Sequence, residues 1–379
     1  MNQIPGTTGR KLRLGVLGAG MIAIVQPGFL PGMRQIADKV EVAAITSRTR
    51  SRAEGVAAEF DIPAVYDDLT TMLAEADLDA VLNLTPIDAH YETNMQILEA
   101  GKHLVSEKPF AQTMREANDI CELARSKGLL VVVAPADMLR NEWVESRRLV
   151  RSGALGKIAF ARVQSSHAGP AAMSWPADPT WFYQAGSGPL LDMGAYGLTR
   201  VTGVLGPAKR VSAMSGITVP VRRARGGPFD GLEIPVTEAD NNVLLLDFGD
   251  ATFATVDATF NVVGTRAPEM EIYGLEGSLV VNRPDTMPLP GQLSLELYRI
   301  DAAAGLSGWV TPRTIGRSRL VDRIATLQRA VLVEHLVECL ASGEQPLVGA
   351  DHARHVLEIM NAAKVAAQEG RTVSLETTF

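Results

Sequence analysis

Four short stretches of the sequence combine residue types and spacings that do chemistry. The first is Gly18-Ala19-Gly20-Met21-Ile22-Ala23, a G-x-G-x-x-A turn. Gly18 permits a tight turn and Gly20 lets the backbone approach a pyrophosphate. Small Ala23 lets the following helix, with its positive N-terminus, pack close to the preceding strand. That turn, with Met21 and Ile22 inside it, is expected to hold a dinucleotide. The second stretch, Thr46-Ser47-Arg48-Thr49-Arg50, falls where the next strand would end and contains no Asp or Glu. A carboxylate there would accept from the adenosine ribose and repel a 2′-phosphate. Ser47 and Arg48 donate instead, which favours NADP over NAD, the plainer alternative being solvated loop charges. The third, Ser106-Glu107-Lys108-Pro109, ends a strand, and ligands of open parallel sheets bind beyond such ends. Composition alone equally fits Lys108 as a surface lysine in a turn. The fourth, Gly186-Ser187-Gly188-Pro189-Leu190-Leu191-Asp192-Met193-Gly194-Ala195-Tyr196, places an acid and a phenol four residues apart among glycines. At α-helical spacing they share one face that a substrate or nicotinamide can approach; a helix N-terminal carboxylate and a half-buried aromatic fit as well.

The elements that must carry these residues form two textures. A length of 379 residues allows two or three domains. After a polar tail, residues 1–10, short apolar runs alternate with amphipathic stretches, the pattern of βαβ units on a covered parallel sheet. Strands are expected at 12–17, 40–46, 80–84, 103–106 and 129–134. Helices are expected at 51–60, 69–76, 90–100 and 114–127, with Gly101 and Gly128 as C-caps. Pro27 and Pro31 predict a short, late or kinked first helix. Beyond Asp137 a helix at 142–152 leads into alternating strands at 157–166, 209–219, 242–248, 251–260, 270–274 and 278–281, with Gly249-Asp250 as a hairpin turn. Helices return at 323–341 and 350–368. The fold class expected is α/β: a doubly wound Rossmann domain over 11–137, then an α+β domain on an open, mostly antiparallel sheet over 138–379.

Lys plus Arg is 36 against 43 Asp plus Glu, a net charge of −7 that gives no general attraction to nucleic acid or anionic membranes. No apolar run approaches a membrane span and the N-terminus lacks a signal-peptide core, so a cytoplasmic location is expected. Cys121 and Cys339 are far apart, which argues against a disulfide framework. His352 and His355, i and i+3 beside Asp351, fit a solvated helix face better than a metal site, so no metal is expected.

The Gly18–Ala23 turn, Thr85-Pro86 with His90 four residues on, Glu107-Lys108-Pro109 and the GSGPLLDMGAY stretch, in that order, resemble the glucose-fructose oxidoreductase, inositol dehydrogenase and rhizopine catabolism family (Gfo/Idh/MocA). The resemblance spans nearly the whole chain. It implies a bound nicotinamide cofactor contacted by Thr85, Pro86, His90, Glu107 and Lys108, with oxidation or reduction at a carbinol carbon of a sugar or cyclitol. Lys108 corresponds to the lysine of the family's Glu-Lys-Pro motif and Asp192 to the aspartate of its second motif. Tyr196 stands where most members carry His and looks like the acid/base of the variant with Tyr. A phenol with an ordinary pKa of about 10 needs a nearby cation to ionise near neutrality, and Lys108 is the cation available for such a relay.

The substrate is expected between the two domains. Arg140, Asn141, His167, Trp175, Trp181 and Tyr183 are candidate contacts beside Asp192 and Tyr196, because sugars need many hydrogen-bond partners and stack on aromatic rings. The Arg of the family's Trp-Arg pair is missing near Trp181-Phe182-Tyr183-Gln184, so these aromatics are expected to wall the sugar site. Two other functions fit the resemblance: a non-catalytic NAD(P)-binding regulator, and a glycosidase that uses NAD for transient oxidation and elimination. The second-domain sheet is expected to leave one face uncovered, pairing in a homodimer or homotetramer.

Overall fold

A computed structural model describes residues 10–25, 28–282, 294–301, 305–312 and 329–379. The expected tail at 1–10 lies outside them except for Arg10. Two compact units divide the chain: Met1–Asn141 with Ile315–Arg354, and Glu142–Thr314 with His355–Phe379.

The first unit is built on strands β1 (Leu12–Leu17), β2 (Val40–Thr46), β3 (Ala64–Tyr66), β4 (Ala80–Asn83), β5 (His103–Ser106) and β6 (Val131–Val133). They lie in the order β3-β2-β1-β4-β5-β6, all parallel. The order reverses between β1 and β4, which opens a crevice at their carboxyl ends. Leu12, Leu14, Val16, Val81, Leu82, Leu104 and Val132 are fully buried, as strands covered on both faces require. The connecting helices are α1 (Met21–Ile24), α2 (Phe29–Met33), α3 (Arg50–Phe60), α4 (Leu69–Glu75), α5 (His90–Glu99) and α6 (Met114–Ser126). The first crossover is broken into α1 and α2, with Pro31 inside α2; Pro27 lies outside the described residues. Thr113 and Glu116 close a capping box on α6, where each satisfies a backbone amide of the first turn. β3 has no counterpart in the sequence reading, because three half-buried residues make no apolar run.

The second unit carries α7 (Asn141–Arg151), β7 (Ile158–Gln164), a π-turn (Leu190–Gly194) running into α8 (Ala195–Leu205), and strands β8 (Arg210–Gly216), β9 (Val221–Arg223), β10 (Glu233–Pro235), β11 (Asn241–Gly249), β12 (Thr252–Thr259), β13 (Met270–Gly274), β14 (Gly277–Val281), β15 (Leu295–Asp301), β16 (Leu306–Val310) and β17 (Val373–Ser374). Nine of these strands form one sheet, β16-β15-β14-β13-β7-β12-β11-β8-β17, antiparallel at every pair but β7 with β12. β9 and β10 make a separate hairpin. Along β11, Leu244 and Leu246 are buried while Val243 and Leu245 are exposed, the period of two that defines a covered and an open face.

Two late helices complete the chain. α9 (Val331–Ser342) packs on β5 and β6, and Val133 donates to the Val348 carbonyl. Among the described residues, 329–354, expected with the second domain, group with the first unit: the apolar stripe of Val331, Leu332, Val333, Leu336 and Val337 needs the sheet to cover it. The expected helix at 323–341 has its first six residues outside the described set. α10 (Ala350–Glu369) begins in the first unit and ends in the second. Among the described residues no helix is long and apolar enough to cross a membrane. Cys121 and Cys339 are unbonded and buried, and desolvation pushes their thiols up to about 12 and about 11.

His335 on α9 accepts from the Leu347 amide through Nε2, and burial pulls its pKa down to about 4. Its neutral form is therefore the folded form. The unfolded chain binds the proton first, so stability present above pH 6.5 is lost as pH falls through the window from about 6.5 to about 4. Urea unfolding at pH 7 and pH 4 is expected to show a loss of about 3 kcal/mol from this group, absent in His335→Gln.

Candidate active site

The glycine turn follows β1. Gly18 has φ of 113°, and a Cβ there would lie 2.8 Å from the Leu84 carbonyl oxygen, so the chain beyond β4 passes close against a residue that must be glycine. A Cβ at Gly20 would meet nothing within 4 Å. Open space at Gly20 beside the first turn of α1 is the cradle a pyrophosphate needs, and the residues present fit a dinucleotide. Met21 and Ile22 sit in that turn, exposed. At the end of β2 the Arg50 guanidinium is tied to Glu54 and Asp67, while Ser47 and exposed Arg48 form the turn before α3.

Beneath the next two strand ends lies a buried polar network. Asn83 Nδ2 donates to Thr93 Oγ1 (2.8 Å) and Asn94 Oδ1 (2.7 Å), and Asn83 Oδ1 accepts from the Thr85 amide and hydroxyl. Asn94 Nδ2 reaches Ser106 Oγ and the Phe110 carbonyl. His90, 1% exposed, lies 2.6 Å through Nδ1 from the Pro109 carbonyl and 2.8 Å through Nε2 from the Thr85 carbonyl. The ring thus clamps the loop after β4 to the loop after β5. His90, expected to contact the cofactor, is placed so that it holds the loops that carry Thr85-Pro86 and Lys108. Asn83, Asn94 and Ser106 were missed by sequence reasoning; a polar residue at the end of an apolar strand is the signal for Asn83 and Ser106, and Asn94, inside α5, leaves none. Glu107 accepts from the Lys108 amide and pairs with Arg329 at 3.8 Å. The Lys108–Pro109 peptide is cis, and Lys108 is half-buried at the same end of the sheet as Gly18.

In the second unit, Asp192 lies within the π-turn and Tyr196 in the first turn of α8, both half-buried. Uniform α-helical spacing between them does not hold, because a π-turn is wider than an α-turn. Ser165, just beyond β7, donates from Oγ to the Met193 carbonyl and accepts from the Gly197 amide. The neighbouring Ser166 hydroxyl donates to Asp257, which also accepts from the Ser165 amide. His167 accepts from the Gly169 amide through Nδ1 (2.8 Å), which puts the proton of its neutral ring on Nε2, and it stacks on Phe260.

The aromatic residues separate into two groups. Tyr183 is 1% exposed, takes the Ala171 amide on its hydroxyl, and lies edge-on to Phe260 with Arg222 over its ring. Burial, the largest cause, pushes its phenol pKa up, and the Asp192 charge adds to this. Tyr183, expected among the aromatics that wall the sugar site, is placed in the core cluster on which Met193 packs. Trp181 is 48% exposed, stacks on Phe182 at 5.0 Å, and Trp175 meets Phe182 edge-on at 5.5 Å. Arg140, mostly buried, pairs with Asp137 at 3.8 Å at the end of the first unit, and Asn141 follows as the first residue of α7. His355 receives the Ala208 amide on Nε2 inside the second unit.

Comparison with known proteins agrees with this architecture. Residues 12–134 match the model of the oxidoreductase family with an NAD-binding Rossmann fold, and residues 143–280 match the GFO/IDH/MocA C-terminal domain. The chain is 23% identical over 373 residues to the scyllo-inositol 2-dehydrogenase (NADP(+)) IolW of Bacillus subtilis, covering 96% of each. It is 28% identical over 253 residues to the levoglucosan dehydrogenase of Pseudarthrobacter phenanthrenivorans, covering 61% of this chain and 62% of that protein. An NAD-binding oxidoreductase from Klebsiella pneumoniae has the same fold, with a TM-score of 0.84 at 20% identity over 97% of this chain and all of that one. The two matched domains, in register with the cradle at Gly20, make the chain a member of the Gfo/Idh/MocA family of NAD(P)-binding oxidoreductases.

Proposed function

We propose that the protein transfers a hydride between NADP and a carbinol or carbonyl carbon of a sugar, cyclitol or sugar derivative. The observation that carries this reading is the open glycine cradle with Lys108 at the same end of the sheet. The relatives named as acting on scyllo-inositol and levoglucosan support the substrate class. When bound, the nicotinamide takes up or gives the hydride. Tyr196 and Lys108 handle the proton of the reacting hydroxyl, and Asp192 orients the substrate. His167 is kept as a candidate sugar contact, and Trp181 with Trp175 offers apolar ring faces. Replacing either proton-handling group is expected to lower kcat by about 100-fold or more with the coenzyme Kd little changed. The check is initial rates of Lys108→Ala and Tyr196→Phe on a panel of inositols, pyranoses and anhydrosugars; wild-type rates in both remove the assignment.

The coenzyme preference rests on Ser47 and Arg48. One charge-assisted hydrogen bond to a 2′-phosphate contributes about 1.5–3 kcal/mol, so NADP is expected to bind roughly 10- to 100-fold tighter than NAD. Fluorescence titration of both coenzymes tests this, and Arg48→Glu is expected to reverse the order.

The open face of the nine-stranded sheet exposes Met214, Val243, Leu245, Phe253 and Trp309. We propose that it pairs with a second copy, giving a homodimer or homotetramer. Light scattering at micromolar concentration is expected to give at least twice the chain mass, and Leu245→Lys is expected to lower it.

A further inference from the structure

We propose that Ser165 is a positioning residue whose hydroxyl is spliced into the turn separating Asp192 from Tyr196, and so sets their relative placement. In a regular α-helix the Met193 carbonyl accepts directly from the amide four residues on, Gly197. Here the Ser165 Oγ donates to that carbonyl and accepts from that amide at 3.0 Å. The two bridged groups each stand one residue beyond a proposed reacting residue, Asp192 and Tyr196. A side chain inserted into the hydrogen-bond ladder opens and tilts a helix, and the preceding Leu190–Gly194 turn is π-helical.

The surroundings are built for this splice. Ser165 is 2% exposed, and its amide is held by Asp257 Oδ1 at 3.3 Å. Gly197 lets the strand end come close: a Cβ there would lie 2.7 Å from Ser165 Cβ, 3.0 Å from its Oγ and 3.1 Å from Val163 Cγ1. Removing the hydroxyl takes one donor from the Met193 carbonyl and the acceptor of the Gly197 amide, or lets the turn collapse to the direct bond; either change turns Tyr196 relative to Asp192. Both outcomes disturb a proton transfer that depends on placement.

The inference rests on the proposed roles of Asp192 and Tyr196, and its test has a readout that does not need turnover. Ser165→Ala and Ser165→Thr are compared with wild type for kcat on scyllo-inositol and levoglucosan, for NADP Kd, and for the Tyr196 phenol titration, read as the ultraviolet tyrosinate band in difference against the matching Tyr196→Phe background. Ser165→Ala is expected to lose about tenfold or more in kcat and to move the phenol titration by about half a unit or more, with NADP Kd unchanged; Ser165→Thr, which keeps the hydroxyl, restores both. An unmoved titration with wild-type kcat overturns the proposal. So does equal loss of kcat, Kd and melting temperature in both variants, which marks a merely structural role. If the wild type oxidises neither compound and no sugar or cyclitol of the wider panel, the functional reading fails, and the titration alone decides the placement role of Ser165. If Ser165→Ala does not fold, Ser165→Cys, a weaker donor of similar size, carries the same comparison.

Discussion

The cofactor side of this protein is organised by a buried polar network that ties the loops after β4 and β5 to the strand ends. Asn83, Asn94, Ser106 and His90 are essentially inaccessible to water, so each must find its hydrogen-bond partners inside the protein. The partners they find are one another and the backbone of the loops after β4 and β5. An unpaired buried group costs about 1–3 kcal/mol, so the loops cannot drift away from the strand ends without that penalty. Placement of Lys108 is therefore a consequence of hydrogen-bond bookkeeping several residues away. A more apolar lining at these positions would pack as well but would give the loops no preferred position.

The second unit solves the same problem with a different device. Its motif is not held by a lattice of amides but by one hydroxyl and by aromatic packing. Tyr183, Phe260, Ala171, Ile234 and Val236 form a core onto which Met193 packs, so the residue after Asp192 is pinned by apolar contacts. The parallel pair β7 and β12 lies at the centre of the sheet, and the π-turn rests on β12. Because β7 ends at Gln164, the run Ser165-Ser166-His167 leaves the sheet beside that turn and carries three side chains with distinct polar duties.

Legibility in the sequence followed the range of the interaction involved. Gly18, Gly101 and Gly128 were readable because their conformations are demanded by the local chain, and the structure gives all three a positive φ. The alternation at β11 was readable because Leu244 and Leu246 must face a core and their neighbours need not. β15 and β16 escaped, lying beyond the last run of strands that the pattern marked, and β16 has no buried residue to create an alternation. The transfer of α9 to the first unit escaped as well, since an apolar stripe does not say which sheet will cover it. Tyr183 and Trp181, two residues apart in one motif-like run, ended with opposite fates. Burial of an aromatic is decided by what stands opposite it, here Phe260, almost eighty positions away in the chain. Ser165 left no trace at all, because a serine at a strand end becomes informative only when the helix it enters is known.

The two buried cysteines have a practical meaning for labelling this protein. Both thiols lie far above the pH of ordinary labelling chemistry, and they are the chain's complete set. The natural protein is therefore already a silent background for maleimide dyes or spin labels. A cysteine placed at an exposed site on each unit would report the separation between them in solution, with no native thiol to remove first.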